Sequence, residues 1–492
     1  MIVEFRCDRA RARRWMADLA QLLNNQAVGI QIGWAETATP PAGLDALFEL
    51  ERIVLRKGKA GGADALRPVP VSRRLGQPDI VVDFTTADRD PAHPADVRYL
   101  RPLFNGKAGE DAALAAILAG DLPVIEIIDD KDGAVLDRGH PSAEMAAGLS
   151  GGLETVIART MTLLGAVLSG RPRLVPQLGP SIASNPPRKP AAYVVRGLVW
   201  SIAREIYRLC CYAPHWHVGW RYVGDAGVWN SRDLSGPPWN ILPDPGSRFY
   251  ADPFPVTWQG RTFVFFEDLD HRIGKGIISA VEFDGAGPVG GAIPVLEEAC
   301  HLSYPFLIEH QGELWMIPET MGRRDVTLYK CTRFPDRWER HTTLLSDVGL
   351  ADATIVGHEG RYYMFGVAYD GTGGYSDTLE IYHADHLTGP WLPHAGNPVL
   401  VDRASARPAG NFVTIGQKLW RPVQDCTDEY GCGLGLAEIV ELSPTAFRQV
   451  VRNSIRPGAL WPGRKLHTLN RSGNLEVIDG ARIQPKWRAL TS

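Results

Sequence analysis

The sequence lacks an excess of basic residues, and its cysteines show no pattern of pairs. Its 492 residues include 52 Lys and Arg against 56 Asp and Glu, which gives a formal net charge of −4. Nucleic-acid-binding domains normally carry a basic patch or stripe, so this balance offers no support for that class. The seven cysteines are odd in number and scattered, which argues against a disulfide framework and fits a reducing compartment.

Long apolar runs are also missing. No uncharged apolar stretch reaches the length of about 18 residues that a membrane-spanning helix needs, so none is predicted. The N-terminus carries charged side chains and no small-residue cleavage site, so it does not indicate a signal peptide. Cys426 and Cys432 lack the second Cys or His pair of a zinc site. We therefore predict a cytoplasmic protein without a metal or a cofactor.

What the sequence does contain is a repeat in its second half. Five times an aromatic-rich apolar run leads through a Gly-centred turn into a second such run. The turn glycines are Gly260, Gly312, Gly360, Gly416 and Gly473. A period of about 50 residues with several short strands per unit is typical of β-propellers, in which each unit is one four-stranded blade. The sequence therefore predicts an all-β five-bladed propeller over residues 215–485.

The first 150 residues instead alternate strand and helix patterns. The predicted strands lie near residues 2–6, 28–34, 79–84 and 122–128, and the predicted helices cover 11–23 and 112–120. Short apolar runs alternating with helices favour a doubly wound, Rossmann-like α/β sheet. We therefore predict an α/β domain over residues 1–150.

Residues 151–214 are predicted to hold helices and a Pro-rich linker between the two domains. A helix is predicted over 148–168, and 170–192 is rich in Pro, Ser and Arg without apolar periodicity. Residues 193–212 then carry apolar side chains at helical spacing with arginines among them. Two interpretations of this amphipathic helix are open: it docks two domains, or it makes peripheral contact with an anionic membrane surface.

Alignment of the repeats on their turn glycines places carboxylates at equal positions. The residues eight positions before each glycine are Asp252, Tyr304, Asp352, Pro408 and Lys465. The innermost strands of a propeller begin at one rim of the channel, so Asp252 and Asp352 should face each other there. Glu267 and Glu319, seven positions after their glycines, should return to the same rim.

Paired carboxylates in a concave site suit the chemistry of glycosidic bonds. One group protonates the leaving oxygen while another activates a nucleophile or water. Plainer interpretations are also open, because Asp252 precedes a proline and can simply end a strand. Glu319 can likewise form a structural salt bridge with Arg323 or Arg407.

Several motifs in the second half occur together in one known family. They are Tyr250-Ala-Asp-Pro-Phe254, Ser303-Tyr-Pro-Phe306, Ile317-Pro-Glu319, Arg407-Pro-Ala-Gly410 and Gln424-Asp-Cys426. With them, residues 215–480 resemble the N-terminal domain of plant glucosamine inositolphosphorylceramide transferases. That domain is similar to the five-bladed propeller of arabinan- and fructan-acting glycoside hydrolases. The resemblance implies a glycosidase- or glycosyltransferase-like protein of cell-surface glycan or glycolipid assembly.

The resemblance also implies roles for matched residues. Asp252 matches the general base of those hydrolases and Asp352 the aspartate that tunes pKa and orientation, while Glu319 is the candidate acid. Glu319 lies in the second blade, earlier than arabinanases place their acid. The predicted substrate ligands, for sugar hydroxyls or a phosphate, are Tyr304, Arg407, Gln424, Asp425 and His467. The expected partner is a carbohydrate, a glycolipid or a sugar nucleotide. The alternative is a non-catalytic glycan-binding propeller.

Residues 1–150 resemble a degenerate formyltransferase domain, whose strands match 79–84 and 120–126 and whose aspartate-bearing turn matches 132–136. The Asn-x-His-Pro-Ser segment of that family is replaced by Leu103-Phe-Asn-Gly-Lys107. His140-Pro-Ser142 has the right letters but follows the sheet elements. Because the family's catalytic histidine is missing from its place, we expect ligand binding or a scaffold role, with residual formyl transfer the less favoured alternative.

Overall fold

The computed structural model describes residues 1–16, 29–36, 43–55, 61–69, 75–144, 146–178, 186, 188–224, 226–369, 373–461 and 463–487. Contacts divide the chain into two compact units. The first contains Met1–Ile202 with Gly371–Gly374, and the second contains Ala203–Asp370 and Tyr375–Ser492. The helices are α1 Leu44–Val54, α2 Glu110–Ala119, α3 Gly148–Leu168, α4 Pro190–Cys210 and α5 Val228–Ser231. Short 3₁₀ turns occur at Arg9–Arg11 and Met321–Arg323.

A mixed sheet forms the centre of the first unit. Its strands are β1 Ile2–Asp8, β2 Gly29–Ala35, β3 Ile80–Asp83, β4 Arg98–Phe104, β5 Lys107–Ala108, β6 Ile125–Asp129 and β7 Val135–Gly139. The order is β2-β1-β3-β4-β6-β7, with β1 to β4 parallel and β6 and β7 antiparallel. This confirms the prediction of an α/β unit at the level of its class. Residues 17–23 of the predicted helix over 11–23 lie outside the described ones.

Helix α3 packs against this sheet as a core helix. It is long and apolar enough to cross a membrane by length and composition, with mean hydropathy 1.2 in an 18-residue window. However, 61% of that window is buried inside the protein. Leu149, Leu153, Val156 and Leu163 are among its buried side chains, and the helix contacts α2, β6 and β7. Burial of this kind is what the core helix of an α/β unit shows.

Five antiparallel sheets form the second unit and confirm the prediction of a five-bladed propeller. Blade one is β10 Arg248–Trp258, β11 Arg261–Asp270, β12 Lys275–Asp284 and β13 Gly287–Leu296. Blade two is β14 Ser303–His310, β15 Glu313–Glu319, β16 Asp325–Arg333 and β17 Arg337–Ser346. Blade three is β18 Leu350–His358, β19 Arg361–Ala368, β20 Thr378–Ala384, β21 Leu392–Pro393 and β22 Leu400–Val401.

The last two blades complete the ring. Blade four is β23 Val413–Ile415, β24 Lys418–Asp425, β25 Gly433–Leu442 and β26 Phe447–Ile455. Blade five combines β27 Leu469–Ser472 and β28 Leu475–Pro485 with β8 Cys211–Tyr222 and β9 Asn240–Ile241. Strands from both ends of the unit therefore share one sheet, and their hydrogen bonds close the propeller.

The glycines of the repeat form the turns that join the first two strands of each blade. Gly260, Gly312 and Gly360 have φ of 76°, 75° and 79°, and the residue before each of them also has a positive φ. Two successive residues with positive φ in a two-residue hairpin loop form a type I′ turn, which matches the twist of the flanking strands. These turns fix the register of each first hairpin.

A bulge recurs in the first strand of three blades. Asp252, Tyr304 and Asp352 have φ of 51°, 42° and 56°, and the strand pairing shifts register at each of them. In blades four and five the first strands are shorter, so Pro408 and Lys465 precede them. The positional equivalence predicted from the sequence therefore extends to bulges in blades one to three and not beyond.

Candidate functional site

The bulges place four carboxyl groups at the same end of the first three blades. Asp252 and Asp352 occupy the bulges themselves, while Ala251 pairs with Glu267 across the neighbouring strand, and Ser303 pairs with Glu319. Non-glycine residues with positive φ are strained, and bulges of this kind redirect side chains next to functional sites. The predicted return of both glutamates to this rim agrees with the observed register.

Asp252 is only 6% exposed and lies among Thr468, His467 and Asp479, which we call the bracket around Asp252. Its backbone N–H donates to Asp479 Oδ2 at 2.9 Å, and the hydroxyl of Thr468 donates to its Oδ1 at 3.0 Å. His467 Nε2 lies 3.6 Å from the same oxygen. The carboxyl group is therefore fixed in position but not saturated with donors.

Burial raises the pKa of Asp252 to about 7, because the charged form loses its hydration. His467 opposes the shift, whereas the negative charges of Asp479, Asp352 and Glu267 add to it. A carboxyl group that exchanges a proton near neutral pH suits general base chemistry. The acidic groups that add to the shift belong to distant segments of the chain.

His467 links Asp252 to a second buried carboxylate. Its Nδ1–H donates to Asp479 Oδ1 at 2.7 Å. The imidazole stacks on Trp216 with a centroid distance of 3.9 Å and an angle of 11°, and the ring of Tyr430 meets its edge at 5.3 Å. Burial alone would lower the pKa of His467, but the charges of Asp479 and Asp252 outweigh it and raise the pKa.

Asp352 is held by two residues of the fourth repeat. Arg407 Nε donates to Asp352 Oδ2 at 2.6 Å, and Gln424 Nε2 donates to the same oxygen at 2.9 Å. Gln424 Nε2 also donates to the carbonyl of Pro408, which leaves Gln424 Oε1 buried without a hydrogen-bond partner among the described residues. The Arg407 guanidinium lies 4.8 Å from the ring centroid of Tyr430. The structure thus joins three of the predicted site residues directly.

Glu319 lies beside Asp352 and keeps partial solvent access. Its Oε2 accepts a hydrogen bond from the Asp352 backbone N–H at 3.2 Å. Burial and then the charge of Asp352 raise the pKa of Glu319 well above its ordinary value, although Arg407 opposes the shift. Arg323 pairs with Asp325 at 2.7 Å rather than with Glu319. A raised pKa favours the protonated form of Glu319, which is the form that can donate a proton.

Two other predicted ligands have partners elsewhere. Tyr304 is 0% exposed, and its hydroxyl shares a hydrogen bond with Thr354 at 2.9 Å and accepts the Gly410 N–H at 2.8 Å. Asp425 pairs through Oδ2 with Arg456 at 2.8 Å. Tyr304 braces neighbouring blades and Asp425 braces the end of β24. Their roles as substrate ligands stay predictions and form no part of the function proposed below.

Glu267 also has a partner in this region. Its Oε1 lies 3.2 Å from His301 Nε2. Burial alone would lower the pKa of His301, but Glu267 and then Asp252 raise it. The pair adds a titratable group at the edge of the carboxylate cluster.

Asp479 is the residue that sequence reasoning missed. It is fully buried and accepts hydrogen bonds from the backbone N–H groups of Asp252, His467 and Thr468 as well as from the imidazole. Glu319 lies seven residues after its turn glycine, whereas Asp479 lies six residues after Gly473. This near match in spacing was the only sign of Asp479 in the sequence. Because its spacing differs by one residue and the fifth repeat is weak, Asp479 was not predicted.

One oxygen or nitrogen from each of Asp252, His467 and Asp479 lies within 4.8 Å of the others, a spacing that a metal ion could use. Asp479 Oδ1, however, accepts three N–H groups, and its Oδ2 accepts a fourth. With its lone pairs used in this way, Asp479 fits a hydrogen-bonded bracket better than a ligand set. We therefore assign the trio to positioning Asp252.

Residues 243–479 match the family model of the N-terminal part of glucosamine inositolphosphorylceramide transferase 1. The transferase of that name from Arabidopsis thaliana is 32% identical over 254 residues, which are 48% of this chain and 33% of that protein. The one from Oryza sativa subsp. japonica is 29% identical over 251 residues, 48% of this chain and 34% of that protein. The chain thus spans about a third of the length of these relatives. The resemblance of the C-terminal part is confirmed.

The solved structures to which the chain is similar include two glycoside hydrolases. Zg3597, a family 117 glycoside hydrolase from Zobellia galactanivorans, is 11% identical, and the match covers 54% of this chain and 90% of that one with a TM-score of 0.36. An exo-beta-1,3-galactanase from Phanerochaete chrysosporium is 12% identical, with 43% and 53% covered and a TM-score of 0.34.

Proposed function

We propose that the propeller acts on carbohydrate and cleaves or transfers a glycosyl unit during assembly of a glycan or glycolipid. The observation that carries the proposal is the cluster of Asp252, Glu319 and Asp352, two of which have pKa values raised by burial. The match of residues 243–479 to a transferase family adds support for a glycolipid or glycan context. In this proposal the protein works in the cytoplasm, at the inner surface of a membrane.

Each carboxyl group has a distinct part in the proposed reaction. Glu319 donates its proton to the departing glycosidic oxygen or holds the substrate, while Asp252 takes a proton from the attacking hydroxyl of water or of an acceptor sugar. Asp352 orients the site, because its bonds to Arg407 and Gln424 leave it little freedom. When Glu319 donates its proton to the leaving oxygen and Asp252 accepts one from the attacking hydroxyl, the number of protons on the protein does not change.

The residues around the carboxylates suit recognition of sugar. Gln424 Oε1 is a buried acceptor without a partner among the described residues, and a sugar hydroxyl would satisfy it. Arg407 supplies a guanidinium that can also bind a phosphate. His467, held by Asp479 and stacked on Trp216, places its Nε2 near Asp252, where the protonated imidazole would donate to a further oxygen. These groups would hold the glycosyl unit while the carboxylates act.

The proposal is tested by supplying the protein with glycolipids, oligosaccharides and sugar nucleotides. Mass spectrometry follows the products, and calorimetry on the same ligands follows binding. We expect a released or transferred sugar from at least one of these classes. Binding without any product would select the glycan-binding alternative, and neither binding nor product would contradict both.

The rate of the proposed reaction should follow a bell-shaped dependence on pH. Asp252 must be ionised to act as a base, and its pKa is raised to about 7, so activity should rise as pH increases through that value. Glu319 must be protonated to act as an acid, so activity should fall once the pH exceeds its raised pKa. The dependence of kcat/KM on pH measures both limbs. A lower limb near pH 4 would contradict the role of Asp252.

A non-catalytic glycan-binding propeller is the second candidate, and two contacts favour it. The Asp352 carboxylate is already paired with Arg407 at 2.6 Å, and Glu319 is hydrogen-bonded to the backbone of Asp352. Carboxyl groups occupied in this way can hold sugar hydroxyls without proton transfer. The product assay above separates the two candidates.

For the first unit we propose a formyltransferase-like scaffold that binds a ligand or supports the propeller. Its parallel strands β1 to β4 support the resemblance in outline. Asn105 Oδ1 accepts the Val124 N–H at 2.9 Å, and buried His140 Nε2 lies 3.0 Å from the Leu122 carbonyl. Both side chains therefore have structural partners, which is why formyl transfer is the less favoured activity of this unit.

A further inference from the structure

Helix α4 carries a stripe of large apolar side chains that face solvent. Val195, Val199, Ile202, Ile206 and Leu209 are between 53% and 76% exposed, and none of the helix residues is buried. Their spacing of three and four residues places all five on one side of the helix. We call this set the α4 stripe. Single exposed apolar residues are ordinary, but a continuous row of five marks an interaction surface.

The polar positions of the same helix are predominantly basic. Arg196, Arg204 and Arg208 stand against a single acidic residue, Glu205. Lys189 directly precedes the helix, and Trp200 is 64% exposed. Trp200 is four residues from both Arg196 and Arg204, so it shares their side of the helix. An amphipathic helix with arginines on one side and a row of large aliphatic side chains on the other is the form that lies in the interface of a membrane. Its charge complements anionic lipid headgroups.

We propose that α4 binds the surface of an anionic lipid bilayer, with the α4 stripe among the acyl chains and its arginines near the lipid phosphates. At 1.5 Å per residue the helix is roughly 30 Å long, enough to lie along the surface over its whole length. The composition favours lipid over a protein partner, because one helix combines exposed aliphatic side chains with basic ones. This inference does not rest on the function proposed above.

Vesicle flotation tests the proposal with the full chain. We expect flotation with vesicles of phosphatidylcholine and phosphatidylglycerol and little with phosphatidylcholine alone. Ile202→Glu combined with Ile206→Glu should lower the bound fraction at least about tenfold, because two charges would enter the acyl region. Leu392→Glu is the matched control: it replaces a side chain that is 54% exposed on β21 and should bind as wild type does.

The charge on the polar side is tested separately. Arg196→Gln with Arg204→Gln should weaken binding to anionic vesicles by roughly fivefold per arginine, since each basic residue near such a surface contributes about 1 kcal/mol. All substituted positions lie at the surface, and thermal unfolding verifies that the variants stay folded.

Three results would overturn the proposal. The first is a wild-type protein that fails to float, and the second is equal flotation with neutral and anionic vesicles. The third is a dimer in analytical ultracentrifugation that Ile202→Glu with Ile206→Glu dissociates while vesicles are not bound. That outcome would assign the α4 stripe to a second copy of the chain.

Discussion

Replacement of Asp252 by Asn is expected to lower turnover at least about a thousandfold, because an amide cannot accept the proton of the attacking hydroxyl. The amide keeps the shape of the carboxyl group and can still accept the hydrogen bond from Thr468. The backbone N–H of the residue keeps its bond to Asp479. The loss should therefore appear in kcat, while thermal unfolding should change little.

Product formation at saturating substrate measures this effect. Asp385→Asn is a suitable control, since Asp385 lies on the surface of blade three and pairs only with Arg361 among the contacts described. It should leave turnover unchanged. If Asp252→Asn turned over as wild type does, Asp252 would not be the base. If the variant lost binding together with turnover, the carboxylate would instead serve as a substrate ligand.

Replacement of Asp479 by Ala should cost about 3–5 kcal/mol of unfolding free energy, the range for removing one partner of a buried charged pair. The change leaves the buried His467 imidazole and three backbone N–H groups without their acceptor. Asp479→Asn should cost less, because its amide oxygen still accepts part of this set. Asp385→Ala at the surface should change stability by less than about 0.5 kcal/mol.

Urea unfolding at several pH values measures the effect and its sign. The folded protein holds the His467 proton more tightly than the unfolded chain, since its pKa is raised. The stability from this pair is therefore complete at low pH and is lost as pH rises through the folded pKa. Asp479→Ala should weaken that dependence, because only the charges of Asp252 and Asp352 would still raise the pKa of His467. A loss of less than about 1 kcal/mol would show that the bracket around Asp252 is not held by Asp479.

The site could be predicted in part because the repeat carries positional information. Glycines with positive φ fix the hairpin turns, and equal offsets from those turns become equal heights along neighbouring first strands. This reasoning placed Asp252, Asp352 and Glu319 at one end of the first three blades, which agrees with the strand register, whereas their roles stay predictions. It also placed the backbone of Tyr304 in this row, but it did not predict where the Tyr304 side chain points. The direction of a side chain at a bulge depends on the packing of adjacent blades.

Sequence reasoning failed where the repeat loses its regular spacing. Asp479 lies in the fifth repeat, one position away from the offset that identified Glu319. Trp216, which stacks on His467, lies on β8 and more than two hundred residues from the strand with which it pairs. No local pattern connects positions so distant, because only the closure of the ring brings them together.

The sequence alone determined the number of blades, the α/β class of the first unit and the helix that became α4, since these follow from turn residues and apolar periodicity. Tertiary structure alone decided which residues form hydrogen bonds and ion pairs with the carboxyl groups of the site. The partners of Asp252 and Asp352 come from the last two repeats, and burial there sets their proton affinities. Burial and charge depend on neighbours in space, and a linear sequence does not contain those neighbours explicitly.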